Sequence, residues 1–199
     1  MLKAGLGRYL SPEQLERLAA VRVGLAGAGG LGSNCALLLA RSGVERFLIL
    51  DGDTVDASNL NRQQFLPRHV GMPKVTALAE QLRELNPAAR VDARALWLDA
   101  AGLPALLPEA DIWVEALDRP EMKRLFVEEA LRIGVFVVSA SGLAGCGGAP
   151  MQRRKLGARL VLVGDFSSDV ADSPPLAPRV AQAAALQADA VLEHVLGAV

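Results

Sequence analysis

Short apolar runs alternate with amphipathic stretches over the first 140 residues of the chain. The apolar positions recur at helical spacing in the longer stretches, and β-branched residues dominate the short runs. The predicted strands are Val21–Ala26, Arg46–Leu50, Val91–Ala95, Ile112–Glu115 and Val135–Ser139, and the predicted helices are Ser33–Ser42, Lys74–Leu85, Ala101–Leu107 and Pro120–Ile133. Such alternation is typical of right-handed βαβ units. We therefore expect an α/β fold with a doubly wound, mostly parallel sheet.

Both ends of the chain depart from this alternation. Ser11 followed by Pro12 is a start signal for a helix that runs to about Ala20. The segments after residue 140 are predicted as a β-hairpin (Gln152–Lys155 and Leu160–Val163), a long loop (165–178) and a closing helix (Ala177–Leu196). We expect a single domain over 1–199, with a helical arm at 1–20, a core of alternating strands and helices at 21–140, and the hairpin, loop and closing helix at 141–199.

Composition excludes several classes of protein. A chain of 199 residues that is 51% hydrophobic is long enough to bury one core. The net charge of −1, without a Lys/Arg-rich block, gives no electrostatic basis for binding nucleic acid. No segment reaches the roughly 18 uncharged apolar residues of a membrane span, and residues 1–10 have no signal-peptide core, so we expect a cytoplasmic protein.

A glycine-rich turn follows the first predicted strand. Its glycines are Gly27, Gly29, Gly30 and Gly32. In such a turn the first glycine permits the tight bend, the second lets backbone N–H groups approach phosphate, and the third lets helix and strand pack closely. Asp51 lies 19 residues beyond Gly32, where a carboxylate can accept both ribose hydroxyls. The alternative is a turn without a ligand, and we expect no structural need for a glycine at position 30.

The residues after Asp51 indicate what the nucleotide is used for. A dehydrogenase needs only the glycine turn and the ribose acid. Here Asp53 and Asp56 are two further acidic residues, and residues 58–63 place polar and cationic groups in a stretch with neither helical nor strand periodicity. This pattern predicts a ligand-binding loop.

Two cations near this loop suit a triphosphate. Arg62 lies in the loop, and Lys74 opens a predicted helix, whose positive terminus favours anions. The alternatives are a surface guanidinium for Arg62 and a solvated first-turn lysine for Lys74.

Asp118 follows the fourth predicted strand. Open α/β sheets place their ligands at the carboxyl ends of their strands, and an acid there can hold Mg²⁺ on phosphate oxygens. The competing interpretation is that Asp118 caps the helix beginning at Pro120.

Taken together, these motifs resemble the adenylation domain of the E1-like superfamily, and within it the ThiF/MoeB/HesA family. The matching segments are 27–32, 51–55, 58–63, 71–75, 86–87, Asp118, 138–145, 164–166 and 177–180. The Asn-Leu-x-Arg-Gln stretch paired with Lys74 is the specific part of the match. The chain is most similar to the short ThiF type, which adenylates the sulfur carrier ThiS for thiamine thiazole biosynthesis. The resemblance implies a Rossmann-like fold.

The resemblance also implies ATP, Mg²⁺ and a ubiquitin-like sulfur carrier protein ending in Gly-Gly as substrate. It assigns ribose to Asp51, phosphates to Asn59, Arg62 and Lys74, and metal to Asp118, with the glycines and Asp53 in the same nucleotide site. Arg8 matches an N-terminal arginine that reaches into the partner subunit's phosphate site, which implies a homodimer. The expected catalytic residues are therefore Arg62, Lys74, Asp118 and Arg8.

The chain departs from the family pattern at its cysteines. The paired CxxC motifs of longer relatives are absent, so structural zinc is not expected. Cys35 falls on a predicted core position. Cys146 lies in a glycine-rich loop, and whether it takes part in sulfur transfer stays open, because no cysteine clearly matches the family's thioester or persulfide position.

Several functional alternatives stay open. The carrier could serve molybdopterin or cysteine synthesis instead, and the site residues do not choose among carriers or sulfur donors. A non-catalytic binding module would keep the fold without the reaction. An NAD-dependent oxidoreductase would share the glycine turn and Asp51 but leaves Arg62, Lys74 and Asp118 unexplained.

Overall fold

The structure, a computed structural model, describes residues 2–197. The α-helices in this range are α1 (Leu2–Leu6), α2 (Pro12–Ala20), α3 (Gly30–Arg41), α4 (Lys74–Leu85), α5 (Leu103–Leu106), α6 (Pro120–Ile133) and α7 (Ala177–Leu196). The strands are β1 (Arg22–Ala26), β2 (Arg46–Leu50), β3 (Arg90–Arg94), β4 (Ile112–Glu115), β5 (Phe136–Ala140), β6 (Gln152–Leu156) and β7 (Leu160–Gly164). Short 3₁₀ helices lie at Ala57–Asn59, Pro67–His69 and Leu107–Glu109.

The strands form one sheet in the order β3-β2-β1-β4-β5-β7-β6. The pairs from β3 to β7 are parallel, and the edge strand β6 runs antiparallel to β7. The strand order reverses beside β1, which has β2 on one side and β4 on the other. Both the mostly parallel doubly wound sheet and the hairpin at one edge are thus confirmed.

Each face of the sheet buries its own hydrophobic cluster. Val23 and Leu25 of β1 belong to a cluster with α3, α4 and α7, whereas Trp113 of β4 belongs to a second cluster with α5 and α6. Alternate residues of a strand point to opposite faces, so a strand covered by helices on both sides is apolar throughout. This explains why the strands read as continuous apolar runs. None of the helices between residues 2 and 197 has the length and apolarity to span a membrane.

Two predicted helix starts were wrong: α3 begins before Ser33, and α5 begins at Leu103 rather than at Ala101. Ser11 caps α2 as predicted: its hydroxyl accepts the Gln14 N–H at 3.2 Å, and the Gln14 side chain accepts the Ser11 N–H at 2.9 Å. Helix α3 begins at Gly30 rather than at Ser33, because the carbonyl of Gly29 already accepts the Ser33 N–H at 2.9 Å. The glycine turn is therefore continuous with the helix that it precedes.

Candidate active site

A cleft of about 640 Å³ opens at the carboxyl ends of β1, β2 and β4. This is the point where the strand order reverses, the usual ligand position in open α/β sheets. Most of the sequence-predicted site residues line it: Gly27, Gly29, Gly30, Asp51, Asp53, Asn59, Arg62, Lys74 and Asp118. Gly32 and Arg8 do not line it.

Different structural constraints account for glycine at the four positions of the turn. Gly27 has φ of +106°, and a Cβ there would lie 2.5 Å from the carbonyl oxygen of Ala116. A Cβ at Gly32 would overlap the carbonyl oxygen of Gly27, so this glycine permits the close helix–strand packing that was predicted.

The expectation that Gly30 has no structural reason was wrong. A Cβ there would lie 2.9 Å from Cγ1 of Val180 on α7, a contact made by a helix 150 positions away in the chain. Gly29 is the glycine that packing does not explain. A Cβ there would meet only Nε2 of Gln63, at 3.7 Å, so the space in front of Gly29 at the start of α3 is open to the cleft.

The carboxylate of Asp51 is anchored to the backbone. One oxygen accepts the Ala28 N–H at 2.7 Å and the other accepts the Asp53 N–H at 2.8 Å. Burial raises the pKa of Asp51 above its usual range, an effect partly offset by these two N–H groups and by the charge of Lys74. Because a carboxylate oxygen accepts more than one hydrogen bond, both oxygens keep capacity for a ribose hydroxyl.

Lys74 is buried at the first position of α4, with only 8% of its side chain exposed. Its ammonium group lies 2.6 Å from Oδ2 of Asp53. A buried lysine retains its charge only with a partner. The pair therefore holds a cation at the cleft wall beside the glycine turn, and the alternative of a solvated surface lysine does not hold.

The polar loop brings a second cation to the same wall. The guanidinium of Arg62 donates a hydrogen bond to the Asn61 side chain at 2.8 Å. The stem of the Arg62 side chain lies next to the glycine turn, with Cγ 3.7 Å from the position that a Cβ of residue 30 would take. The side chain of Asn59 caps its own 3₁₀ turn by accepting the Asp56 N–H at 3.1 Å. Gln63 is 8% exposed and its Oε1 has no hydrogen-bond partner among residues 2–197.

Asp118 lies on the opposite side of β1 from Asp51 and is exposed to the cleft. Arg119, not Asp118, occupies the N-cap of α6, and no side chain caps that helix. Within the described part of the chain Asp118 takes part in no hydrogen bond. The capping role is therefore absent, and both carboxylate oxygens are available to a ligand.

Glu115 and Lys123 form a further ion pair that was not predicted from the sequence. Glu115 has no exposed surface and accepts the Leu117 N–H at 2.7 Å and the Ser139 hydroxyl at 2.5 Å. Lys123, on α6, also lines the cleft and donates to both Glu115 oxygens. The position of Glu115 inside an apolar strand was the sequence signal for this pair, since a buried carboxylate requires a cation or hydrogen-bond donors.

A buried ion pair next to the cleft-lining residues Ser168 and Val180 fixes the long loop. Asp165 pairs with Arg179 of α7, whose guanidinium also donates to the carbonyls of Gly147 and Ala149, at 2.5 and 3.0 Å. Burial opposes ionisation of Asp165, but donors from Ser168, Ser167 and Arg179 outweigh it and hold its pKa well below the usual range. The predicted loop thus runs between anchored ends, and Ser168 borders the cleft.

The two cysteines differ in environment. Cys35 is fully buried on α3, as predicted, and burial raises the pKa of its thiol. Cys146 is exposed in the loop that Arg179 holds. Arg8 is exposed between α1 and α2, away from the cleft of its own chain.

A family model described as the ThiF family matches residues 4–198, and the chain belongs to that family. The proteins named adenylyltransferase and sulfurtransferase uba4 are similar in sequence. That of Emericella nidulans is 40% identical over 128 residues, covering 64% of this chain and 27% of the relative. That of Yarrowia lipolytica is 36% identical over 152 residues, covering 72% and 38%. The chain thus spans well under half of these relatives' length.

Solved structures show the same fold. Escherichia coli tRNA N6-threonylcarbamoyladenosine dehydratase, TcdA, in complex with ATP, has a TM-score of 0.88 at 20% identity, covering 97% of this chain and 93% of TcdA. E. coli MccB with ATP has a TM-score of 0.72 at 25% identity, covering 92% and 58%. The prediction of an enzyme of the adenylyltransferase class agrees with the family and with the names of its relatives.

Proposed function

We propose that this domain activates a carboxylate with ATP, forming an acyl adenylate and releasing pyrophosphate. The observation that carries the proposal is the content of one cleft: two cations, Arg62 and Lys74, beside an open glycine turn, together with an unpaired Asp118. A dehydrogenase would have no use for this set, and a non-catalytic module would have no reason to keep a lysine buried at the cleft wall.

The chemistry needs no protein nucleophile. The substrate carboxylate attacks the α-phosphate, a new oxygen–phosphorus bond forms, and the bond to the pyrophosphate oxygen breaks. Because a carboxylate is already ionised at neutral pH, no base is required. Catalysis then consists of aligning the reacting groups and neutralising negative charge on the phosphate, with Lys74 and Arg62 supplying cations and the N–H groups at the start of α3 supplying donors.

Asp118 would hold Mg²⁺. Magnesium is usually held by one or two carboxylates together with phosphate oxygens of the substrate. Between residues 2 and 197 no three His, Cys, Asp or Glu side chains gather into a metal site, so the ion would take most of its ligands from the nucleotide and from water. When bound, it would neutralise charge on the phosphate oxygens.

For the substrate we propose the C-terminal glycine of a ubiquitin-like sulfur carrier, of ThiS type or one serving molybdopterin or cysteine synthesis. The similarity to uba4 proteins supports a carrier that receives sulfur, and the E. coli MccB complexes with MccA support activation of a polypeptide. The sulfur step would fall to another protein or domain, since neither Cys35 nor Cys146 clearly matches the family's thioester or persulfide position. A tRNA substrate, as in the name of TcdA, is disfavoured by the net charge of −1.

We further propose a cytoplasmic homodimer in which Arg8 completes the site of the neighbouring subunit. The exposure of Arg8 and its absence from its own cleft support action in trans. If Arg8→Ala and Arg62→Ala proteins are each nearly inactive, co-refolding them should restore up to about a quarter of the activity per total site, because only a mixed dimer holds one site with both arginines. No recovery would assign Arg8 to its own subunit or to no site.

The test of the proposed reaction is exchange of labelled pyrophosphate into ATP, with candidate carriers supplied one at a time. Exchange should require both Mg²⁺ and a free Gly-Gly carboxylate. The matched control is the same carrier with its C-terminus amidated, which should support none. Exchange without any carrier, exchange with the amidated carrier, or none with any carrier would contradict the proposal.

A further inference from the structure

Trp97 is a large aromatic residue left open to solvent at the cleft. It lies three positions beyond the end of β3 and is 65% exposed, whereas the other tryptophan, Trp113, is fully buried. Trp97 lines the cleft between Leu96 and Leu98. Its indole N–H has no hydrogen-bond partner among the described residues. Exposing so much apolar surface is unfavourable unless something covers it.

The back of the indole rests on Gly52. A Cβ at Gly52 would lie 2.5 Å from Cδ2, 2.5 Å from Cε2 and 2.7 Å from Nε1 of Trp97. Cδ2 and Cε2 are the atoms shared by the two indole rings, and Nε1 is bonded to Cε2, so the backbone of Gly52 lies against one face of the indole. The 65% exposure of Trp97 leaves the other face open. Gly52 directly follows Asp51, whose carboxylate is the expected ribose acceptor. Trp97, Gly52 and Asp51 line the same cleft, so the free face of the indole opens into the cleft beside the segment that carries this carboxylate.

The order of groups in a nucleotide places its base at this end of the cleft. Phosphates belong at the glycine turn with Arg62 and Lys74, and ribose belongs at Asp51. With the groups in this order, the base would extend from the ribose away from the phosphates, towards the carboxyl ends of β2 and β3, where Trp97 lies. We propose that Trp97 stacks on the base of the bound nucleotide and supplies a large part of its affinity. This proposal rests on the proposed function only in requiring a nucleotide.

Stacking has a magnitude that can be measured. Base–aromatic contacts in single-strand-binding proteins contribute about 1–3 kcal/mol on alanine substitution, equivalent to roughly 5- to 150-fold in affinity. Every base has a π face, so such a platform strengthens binding without selecting adenine. The competing role for an exposed tryptophan is contact with a protein partner, which leaves nucleotide affinity unchanged in the partner's absence.

Calorimetric titration of the isolated protein with ATP and with inorganic tripolyphosphate separates these roles. Trp97→Ala should weaken ATP about tenfold or more and leave tripolyphosphate, which has no base, unchanged. Trp97→Phe, which keeps an aromatic face, should retain most of the affinity. Tyr9→Ala removes an 84% exposed aromatic outside the cleft and is the matched control, with no expected effect on either ligand.

A second readout is tryptophan fluorescence. Because Trp113 is buried, ATP should quench emission from Trp97 in the native protein, and Trp97→Phe should abolish the quenching. Equal ATP affinity for native protein and Trp97→Ala would overturn the stacking role while leaving the proposed function intact. Equal weakening of ATP and tripolyphosphate by Trp97→Ala would also overturn it. Failure of the native protein to bind ATP at all would overturn both the stacking role of Trp97 and the proposed function.

Discussion

The ammonium group of Lys123 lies 2.9 and 2.8 Å from the two carboxylate oxygens of Glu115, a side chain with no exposed surface. Lys123 also donates to the Leu117 carbonyl at 3.1 Å, and Glu115 accepts the Leu117 N–H at 2.7 Å. The pair thus holds both backbone groups of Leu117, which precedes Asp118. A buried charge pair here serves to fix the segment that carries the expected metal ligand.

Removing Lys123 should therefore reduce stability and turnover together. Lys123→Met leaves a buried carboxylate unpaired, which we expect to cost about 3 kcal/mol of unfolding free energy. The double variant Glu115→Gln with Lys123→Met should recover much of this loss, since no charge is then left unpaired. Urea unfolding of the single and double variants measures the loss of stability and its recovery, and pyrophosphate exchange measures turnover. A single variant as stable as the native protein would show that the pair contributes nothing.

Two glycines of the same turn should respond differently to alanine. Gly32→Ala places a methyl group on the Gly27 carbonyl and should lower the free energy of unfolding by several kcal/mol, by analogy with overpacked cores. Gly29→Ala has room, with its nearest neighbour 3.7 Å away, and should cost less than about 1 kcal/mol. Its methyl group would project towards the expected phosphate position.

Denaturant unfolding and ATP titration of both variants test this difference. Gly29→Ala should fold normally and bind ATP poorly. Normal ATP affinity in Gly29→Ala would contradict the proposal that this turn binds phosphate.

Asp118→Ala should abolish pyrophosphate exchange, with ATP affinity reduced less than turnover, because a metal ligand acts mainly where charge develops. Its stability should stay within about 0.5 kcal/mol of the native protein, since Asp118 lacks hydrogen-bond partners in the described chain and does not cap α6. Exchange rates and unfolding midpoints measured side by side provide the test. A variant that is less stable but fully active would contradict the metal role.

The Asp165–Arg179 pair should make stability depend on pH. The pKa of Asp165 is lowered in the folded protein, so the unfolded chain binds more protons and stability rises with pH in that window. The contribution is complete above the unfolded pKa of about 3.9 and is lost as pH falls towards the folded value. The stability difference between native protein and Asp165→Asn should therefore be largest at neutral pH and shrink below about pH 4.

Chemical unfolding at pH 7 and at pH 3 measures this difference. Asp172→Asn, on an exposed side chain of the same loop, is the control. An Asp165→Asn difference of equal size at both pH values would show that the carboxylate charge does not stabilise this loop.

Local patterns predicted the fold well, because strands buried on both faces are apolar throughout and because helices such as α2, with Ser11 before Pro12, carry a start signal. The glycine turn, Asp51, Asp53, Asn59, Arg62, Lys74 and Asp118 come together as expected, since the carboxyl ends of parallel strands meet at one edge. Long-range packing was not predictable. A Cβ at Gly30 would lie 2.9 Å from Val180 on α7, and nothing near either residue in the sequence indicates this contact.

Residues that act through a neighbour were also missed. Lys123 acquires its role from Glu115, and the indole of Trp97 is oriented by Gly52. Both relationships depend on which segments the sheet order brings together. The strand order itself, with β7 between β5 and β6, follows from the return path of the chain rather than from any local motif.

Transfer of oxygen from the substrate carboxylate to AMP tests the central claim most directly. A carrier that supports exchange is prepared with ¹⁸O in its terminal carboxylate and incubated with Mg²⁺, ATP and hydroxylamine as acceptor. If the carboxylate attacks the α-phosphate, its oxygen becomes the bridge, stays with phosphorus when the acyl group leaves, and AMP carries one ¹⁸O by mass spectrometry. Unlabelled AMP, or formation of ADP instead, would contradict adenylation in this cleft.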